Sequence, residues 1–83
     1  MIELISHKFA GAFSEPTIYE IRVRAVLDEK WAAYFAPLKL SAGTEETLLT
    51  GLIHDQAELF GVLLKIRDFG LHLVSVNPVE VKM

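Results

Sequence analysis

The chain has 83 residues, 52% of them apolar, a net charge of −3 and no cysteine. That length makes one domain, and the missing thiols exclude disulfide frameworks, cysteine nucleophiles, cysteine-based zinc sites and iron–sulfur clusters. The eight basic residues are spread along the sequence, so no cluster tracks a phosphate backbone and nucleic acid is not an expected partner.

No run approaches the roughly 18 apolar residues of a membrane span, so no membrane partner is expected. Glu3 stands where a signal peptide would need basic residues and then an unbroken apolar stretch. The sequence therefore reads as an unprocessed, cytoplasmic protein. Its apolar fraction exceeds the roughly 45–50% usual in soluble domains. A domain of this size buries only about 60–65% of its unfolded surface. The excess apolar surface predicts self-association, and a homo-oligomer is the expected state.

Residues 1–17 are read as an N-terminal arm or an extra strand, with residues 18–83 forming a single α+β domain. Ile2, Leu4 and Ile5 could add a short strand, and Gly11, Ser14 and Pro16 then interrupt regular structure. From Ile18 to Leu27 the apolar residues Tyr19, Ile21, Val23, Ala25 and Leu27 alternate with Glu20, Arg22 and Arg24, the pattern of a strand with one apolar and one charged face. Asp28 is placed to cap a short helix, on which Trp31, Tyr34, Phe35 and Leu38 share a face. Pro37 ends it, because the residue before a proline is pushed out of the α region.

Leu38 to Ser41 and Thr47 to Ile53 read as a hairpin around Gly43, the second strand being apolar on both faces apart from its threonines. That pattern predicts burial on both sides, or an interface. Asp55 then caps the main helix, with Glu58 at the spacing of a capping box. Leu59, Val62, Leu63, Ile66 and Phe69 form its core stripe, and Lys65 and Arg67 suit the negative end of its dipole. Gly70 followed by Leu71 is the expected stop. Phe60 and Leu64 widen the stripe beyond what one small sheet needs. Gly61 costs about 1 kcal/mol against alanine in a helix interior. It is read either as tolerated or as a point of close approach by a backbone or ligand. Leu71 to Val76 is the last strand, with His72, Val74 and Val76 expected on one face and Leu71, Leu73 and Ser75 on the other.

The order strand, short helix, strand, strand, long helix, strand is the ferredoxin-like βαββαβ pattern. Right-handed crossovers predict an antiparallel sheet with both helices on one face. The first helix is near the minimum length for such a crossover.

The segments Tyr19-Glu-Ile-Arg-Val, Leu27-Asp-Glu-Lys-Trp-Ala-Ala-Tyr-Phe, Asp55-Gln-Ala with Gly51 and Gly61, and Ile66-Arg-Asp-Phe-Gly-Leu-His-Leu-Val-Ser-Val carry a resemblance. From Tyr19 to about Val79 the chain resembles a family of small uncharacterised bacterial proteins. The resemblance implies no activity and no catalytic residue, and it makes residues 1–17 an extension of the family's core.

Little in the sequence points to chemistry. His7, His54 and His72 lie at no spacing used for metal ligation. About 15 helical residues, roughly 22 Å, separate the last two. Asp55 beside His54 is the sharpest acid–base pairing available, but capping alone accounts for Asp55. Ser75 has no base placed beside it. Arg22 and Arg24 could clamp a carboxylate, or pair with Glu20 and its strand neighbours. Nothing calls for a cofactor or a metal, and no catalytic residue is assigned. The candidates for an interface or a ligand site are Trp31, Tyr34, Phe35, Phe60, Leu64 and His72. Three readings follow. The first is a homo-oligomeric interaction or assembly module without catalysis. The second is a regulatory domain binding a small molecule between subunits near Trp31, Tyr34 and His72. The third is a small isomerase-type enzyme using His54 or His72.

Overall fold

The computed structural model describes residues 16–79. The expectation for residues 1–15 lies outside them, and Thr17 already belongs to the first strand. The elements are β1 (Thr17–Val23), a 3₁₀ turn (Glu29–Trp31) running into α1 (Ala32–Phe35), β2 (Lys39–Ala42), β3 (Thr47–Ile53), α2 (Gln56–Asp68) and β4 (Leu73–Val79). The four strands form one sheet in the order β2-β3-β1-β4, and every neighbouring pair is antiparallel. This is the ferredoxin-like arrangement that the element order predicts. The short first crossover suffices, its 3₁₀ turn supplying the length that α1 lacks.

Both helices cover the same sheet face. Tyr19, Ile21 and Val23 of β1 lie opposite Gly51, Leu49 and Thr47 of β3. Tyr19, Ile21, Val23 and Leu49 make the buried core with Ile53, Leu27, Phe35, Leu38, Leu59 and Ile66. The alternation in β1 is therefore real, but the strand is shorter than its pattern. It ends at Val23, and Ala25 and Leu27 leave the sheet. The fully buried Thr47 hydroxyl holds that departing segment. It donates to the Ala25 carbonyl at 2.7 Å and accepts from the Leu27 N–H at 3.0 Å. Two backbone groups that have left the ladder are satisfied by one side chain.

β3 is covered on one side only. Thr47, Leu49 and Ile53 are buried, whereas Leu48 is half-buried and Leu52 is exposed. Two-sided burial is thus corrected for the subunit, since both helices lie on one face and nothing among the described residues covers the other. β4 carries a second correction. Val23 pairs with Leu73 while Arg22 pairs with Ser75, so Val74 is an extra residue, a β-bulge. The bulge flips the alternation. Leu71 and Val76, expected on opposite faces, both pack on the core.

The helix ends follow the sequence. The Asp28 carboxylate accepts from the Lys30 N–H at 3.1 Å and opens the 3₁₀ turn. Ala36 takes an extended conformation before Pro37 and closes α1. The Asp55 carboxylate accepts from the Glu58 N–H at 2.8 Å at the start of α2. At its end the Gly70 N–H reaches the Arg67 carbonyl at 2.9 Å and the Leu71 N–H the Ile66 carbonyl at 3.0 Å. That is the Schellman pattern, and Gly70 sits at φ +72° as the pattern requires.

Candidate interaction surfaces

The six sequence candidates fall into three separate places. Trp31, Tyr34 and Phe35 gather around Phe69 at the C-terminal end of α2. Ring centroids lie 5.0 Å apart for Trp31–Phe69, 5.2 Å for Tyr34–Phe69 and 6.4 Å for Phe35–Phe69. All three are tilted or edge-on, the geometry that ring quadrupoles favour. Phe35 belongs to the core, Trp31 is half-buried and Tyr34 is exposed. Lys65 adds a link, its Nζ donating to the Tyr34 carbonyl at 2.7 Å. The cluster thus fastens α1 to α2. The core-stripe expectation for Phe69 is corrected: the residue is 41% exposed and serves instead as the hub that these rings share.

Phe60 and Leu64 stand on the outer side of α2, 50% and 48% exposed, and with Leu63 and Arg67 they line an apolar hollow. They do not join the aromatic cluster. At 100° per residue they lie across the helix from Leu59 and Ile66, which face the sheet. His72 is in the third place. Its backbone carbonyl accepts from the Arg24 N–H at 2.8 Å. Its side chain is exposed and, among the described residues, has no hydrogen bond or ring contact with the aromatic cluster. A site uniting Trp31, Tyr34 and His72 is therefore not assembled by direct contact within the subunit.

His54 does not pair with Asp55. The Asp55 carboxylate is engaged as the cap, and the His54 ring lies 3.0 Å from Glu58 Oε1 instead. The same Glu58 oxygen accepts from the His54 backbone N–H. In a strict capping box that N–H would belong to the cap residue itself; here the glutamate reaches one residue further back. The His54 N–H, then its ring, hold the Glu58 carboxyl below its ordinary value, since both favour the charged form. No group of three or more metal-ligating side chains occurs among the described residues.

Two further features were not singled out in the sequence. A groove of about 260 Å³ runs between the Ala36-Pro37-Leu38 segment and α2, with Gly61 and Val62 on its wall and Glu58 and Lys65 at its rim. The open sheet face is mixed. Ile18 lies between Leu52 and Val79, an apolar strip, and Glu20 lies beside it between Thr50 and Asn77. Arg22 lies on this face too, its guanidinium 4.0 Å from Glu46 of the hairpin and not paired with Glu20. The make-up of the sheet face depends on pairing register and the groove on how α2 lies against the Pro37 segment, neither of which a local sequence pattern exposes. No helix among the described residues is long and apolar enough to cross a membrane.

Comparison with known proteins places the chain in a family. Residues 18–77, well over half of its length, match the model of a domain of unknown function (DUF8691), and the chain belongs to that family. No curated protein and no solved structure matches it.

Proposed function

We infer that this member of the DUF8691 family is a small homo-oligomeric interaction module whose role is assembly, without catalysis of its own. The observation that carries the reading is the outer side of α2. Phe60 and Leu64 stand about half exposed there, beside Leu63 and around an apolar hollow. Isolated exposed leucines are ordinary, but a contiguous apolar surface on a helix is the mark of a binding site. The apolar excess of the sequence supports the same reading. So does the Ile18–Leu52–Val79 strip on the uncovered sheet face.

Sedimentation velocity and native mass spectrometry over a hundredfold range of protein concentration test it. Oligomers that grow with concentration and carry no extra mass are expected. A monomer throughout the range would end this reading.

One observation favours a second reading, that of a small-molecule-binding regulatory domain. The groove beside Pro37 combines an apolar wall with one carboxylate and one ammonium at its rim, the make-up of a ligand pocket. A ligand bound only to the native state raises thermal stability. A metabolite that does so, and loses the effect in Lys65→Ala, would favour this second reading over the first.

A further inference from the structure

Helix α2 carries two apolar stripes. The inner one, with Leu59 and Ile66 at its centre, is packed on the sheet. The outer one is Ala57, Phe60, Gly61 and Leu64, all exposed. Their spacing is i, i+3, i+4, i+7, which lines up one face of a helix. The stripes point to opposite sides, so a single subunit cannot cover both. Residues so spaced form the seam along which a second helix packs.

We propose that the outer stripe is covered by the same stripe of a second copy, packed antiparallel about a twofold axis passing between Phe60 and Gly61. This assignment rests on the self-association reading and names its surface. Reversing the helix about that point lays Leu64 over Ala57 of the second copy, sets the two Phe60 side chains beside each other on the Arg67 flank and brings the two Gly61 together on the Lys65 flank. The Leu64–Ala57 contact, a large side chain on a small one, is made twice, as an isologous interface requires. The space exists, since a Cβ built on Gly61 would meet nothing within 4 Å. A parallel pairing would instead set Leu64 on Leu64 and Ala57 on Ala57.

The flanks agree in charge. Glu58 and Lys65 lie on one side of the stripe, and the reversal brings Glu58 of each copy toward Lys65 of the other. On the opposite side Arg67 meets the neutral Gln56. Within each subunit Glu58 also meets the His54 ring at 3.0 Å and Lys65 donates to the Tyr34 carbonyl at 2.7 Å, so the cross-pair is an added contact for both. One helix pair covers less than the roughly 1,600 Å² of a standard interface, so the dimer belongs to the weak, concentration-dependent class.

Gly61→Ala gives the decisive test, because it acts in opposite directions on the subunit and on the pair. In dilute protein it raises thermal stability, since alanine favours the helix and its methyl meets nothing. In concentrated protein it weakens self-association at least tenfold, since a methyl from each copy enters the point where the two Gly61 backbones approach. Cysteine placement tests the direction of the helices in a chain that has no thiol of its own. Gly61→Cys lies about 1.5 Å along the axis from its counterpart and forms a disulfide-linked dimer on mild oxidation. Leu64→Cys lies about 10 Å from its counterpart and does not, whereas Ala57→Cys combined with Leu64→Cys does.

Association unchanged in Gly61→Ala, or Leu64→Cys cross-linking as readily as Gly61→Cys, would overturn the pairing. If Leu52→Asp then abolishes association, self-association stands and the interface moves to the open sheet face. A wild-type protein that is monomeric at every concentration removes the pairing and the reading beneath it together.

Discussion

Replacing Thr47 with valine isolates one hydroxyl from everything else the residue does. The two side chains have nearly the same shape, so Thr47→Val leaves no cavity in the fully buried site. It removes the 2.7 Å bond to the Ala25 carbonyl and the 3.0 Å bond from the Leu27 N–H. Each bond contributes about 1 kcal/mol net, and a buried backbone group left unpaired costs about 1–3 kcal/mol. The sum is about 2–4 kcal/mol, partly offset by burying a methyl group, which leaves about 1–3 kcal/mol. In a domain of this size that lowers Tm by roughly 5–20 °C. Urea denaturation at one fixed protein concentration is the assay, because association would also shift the midpoint. The midpoint should fall while the slope stays constant. Thr47→Ser keeps the hydroxyl and loses one methyl, at about 1 kcal/mol. A valine variant within 0.5 kcal/mol of wild type, or a serine variant as damaged as the valine one, would refute the role given to the hydroxyl.

Three other outcomes are expected. Gly51→Ala puts a methyl 2.6 Å from Leu38 Cδ2 and 3.3 Å from Leu38 Cα, so Leu38 must shift and stability falls by about 1–3 kcal/mol in the same denaturation assay. Gly70→Ala has open space around it but sits at φ +72°, and it should cost about 1–2 kcal/mol through backbone strain alone. Acidification should weaken the start of α2. The folded Glu58 carboxyl titrates below its ordinary value of 4.5. Its contribution is therefore complete above that value and is lost as the pH falls through the lower, folded one. Glu58→Gln should flatten that part of the stability–pH curve, and an unchanged curve would mean that the His54 contacts contribute nothing.

The enzyme reading loses its sharpest pairing in this geometry. His54 and Asp55 are adjacent in sequence, yet each engages Glu58 by a different atom, the ring at its carboxylate and the cap at its N–H. A helix start explains all three residues, and a reaction is not required to account for any of them.

Much of the fold was legible because it is encoded locally. The Asp28 and Asp55 caps, the Gly70 stop and the β1 alternation each depend on residues within one or two turns of one another. The order of elements then leaves few ways to build the sheet, because crossovers are right-handed. The surplus of apolar residues on α2 was also readable, since Phe60 and Leu64 lie outside the stripe that one sheet can cover. Other features belong to the tertiary structure. The Thr47 hydroxyl reaches a segment 20 residues earlier in the chain. Gly51 matters only because Leu38 is laid against it. The extra residue at Val74 reverses the faces of β4, and nothing in its own sequence marks the bulge. The separation of Phe60 and Leu64 from the Trp31–Phe69 cluster followed from which side of α2 meets the sheet. Periodicity reports that a side chain is apolar and which neighbours share its face; only the packed chain decides which of those faces is left uncovered.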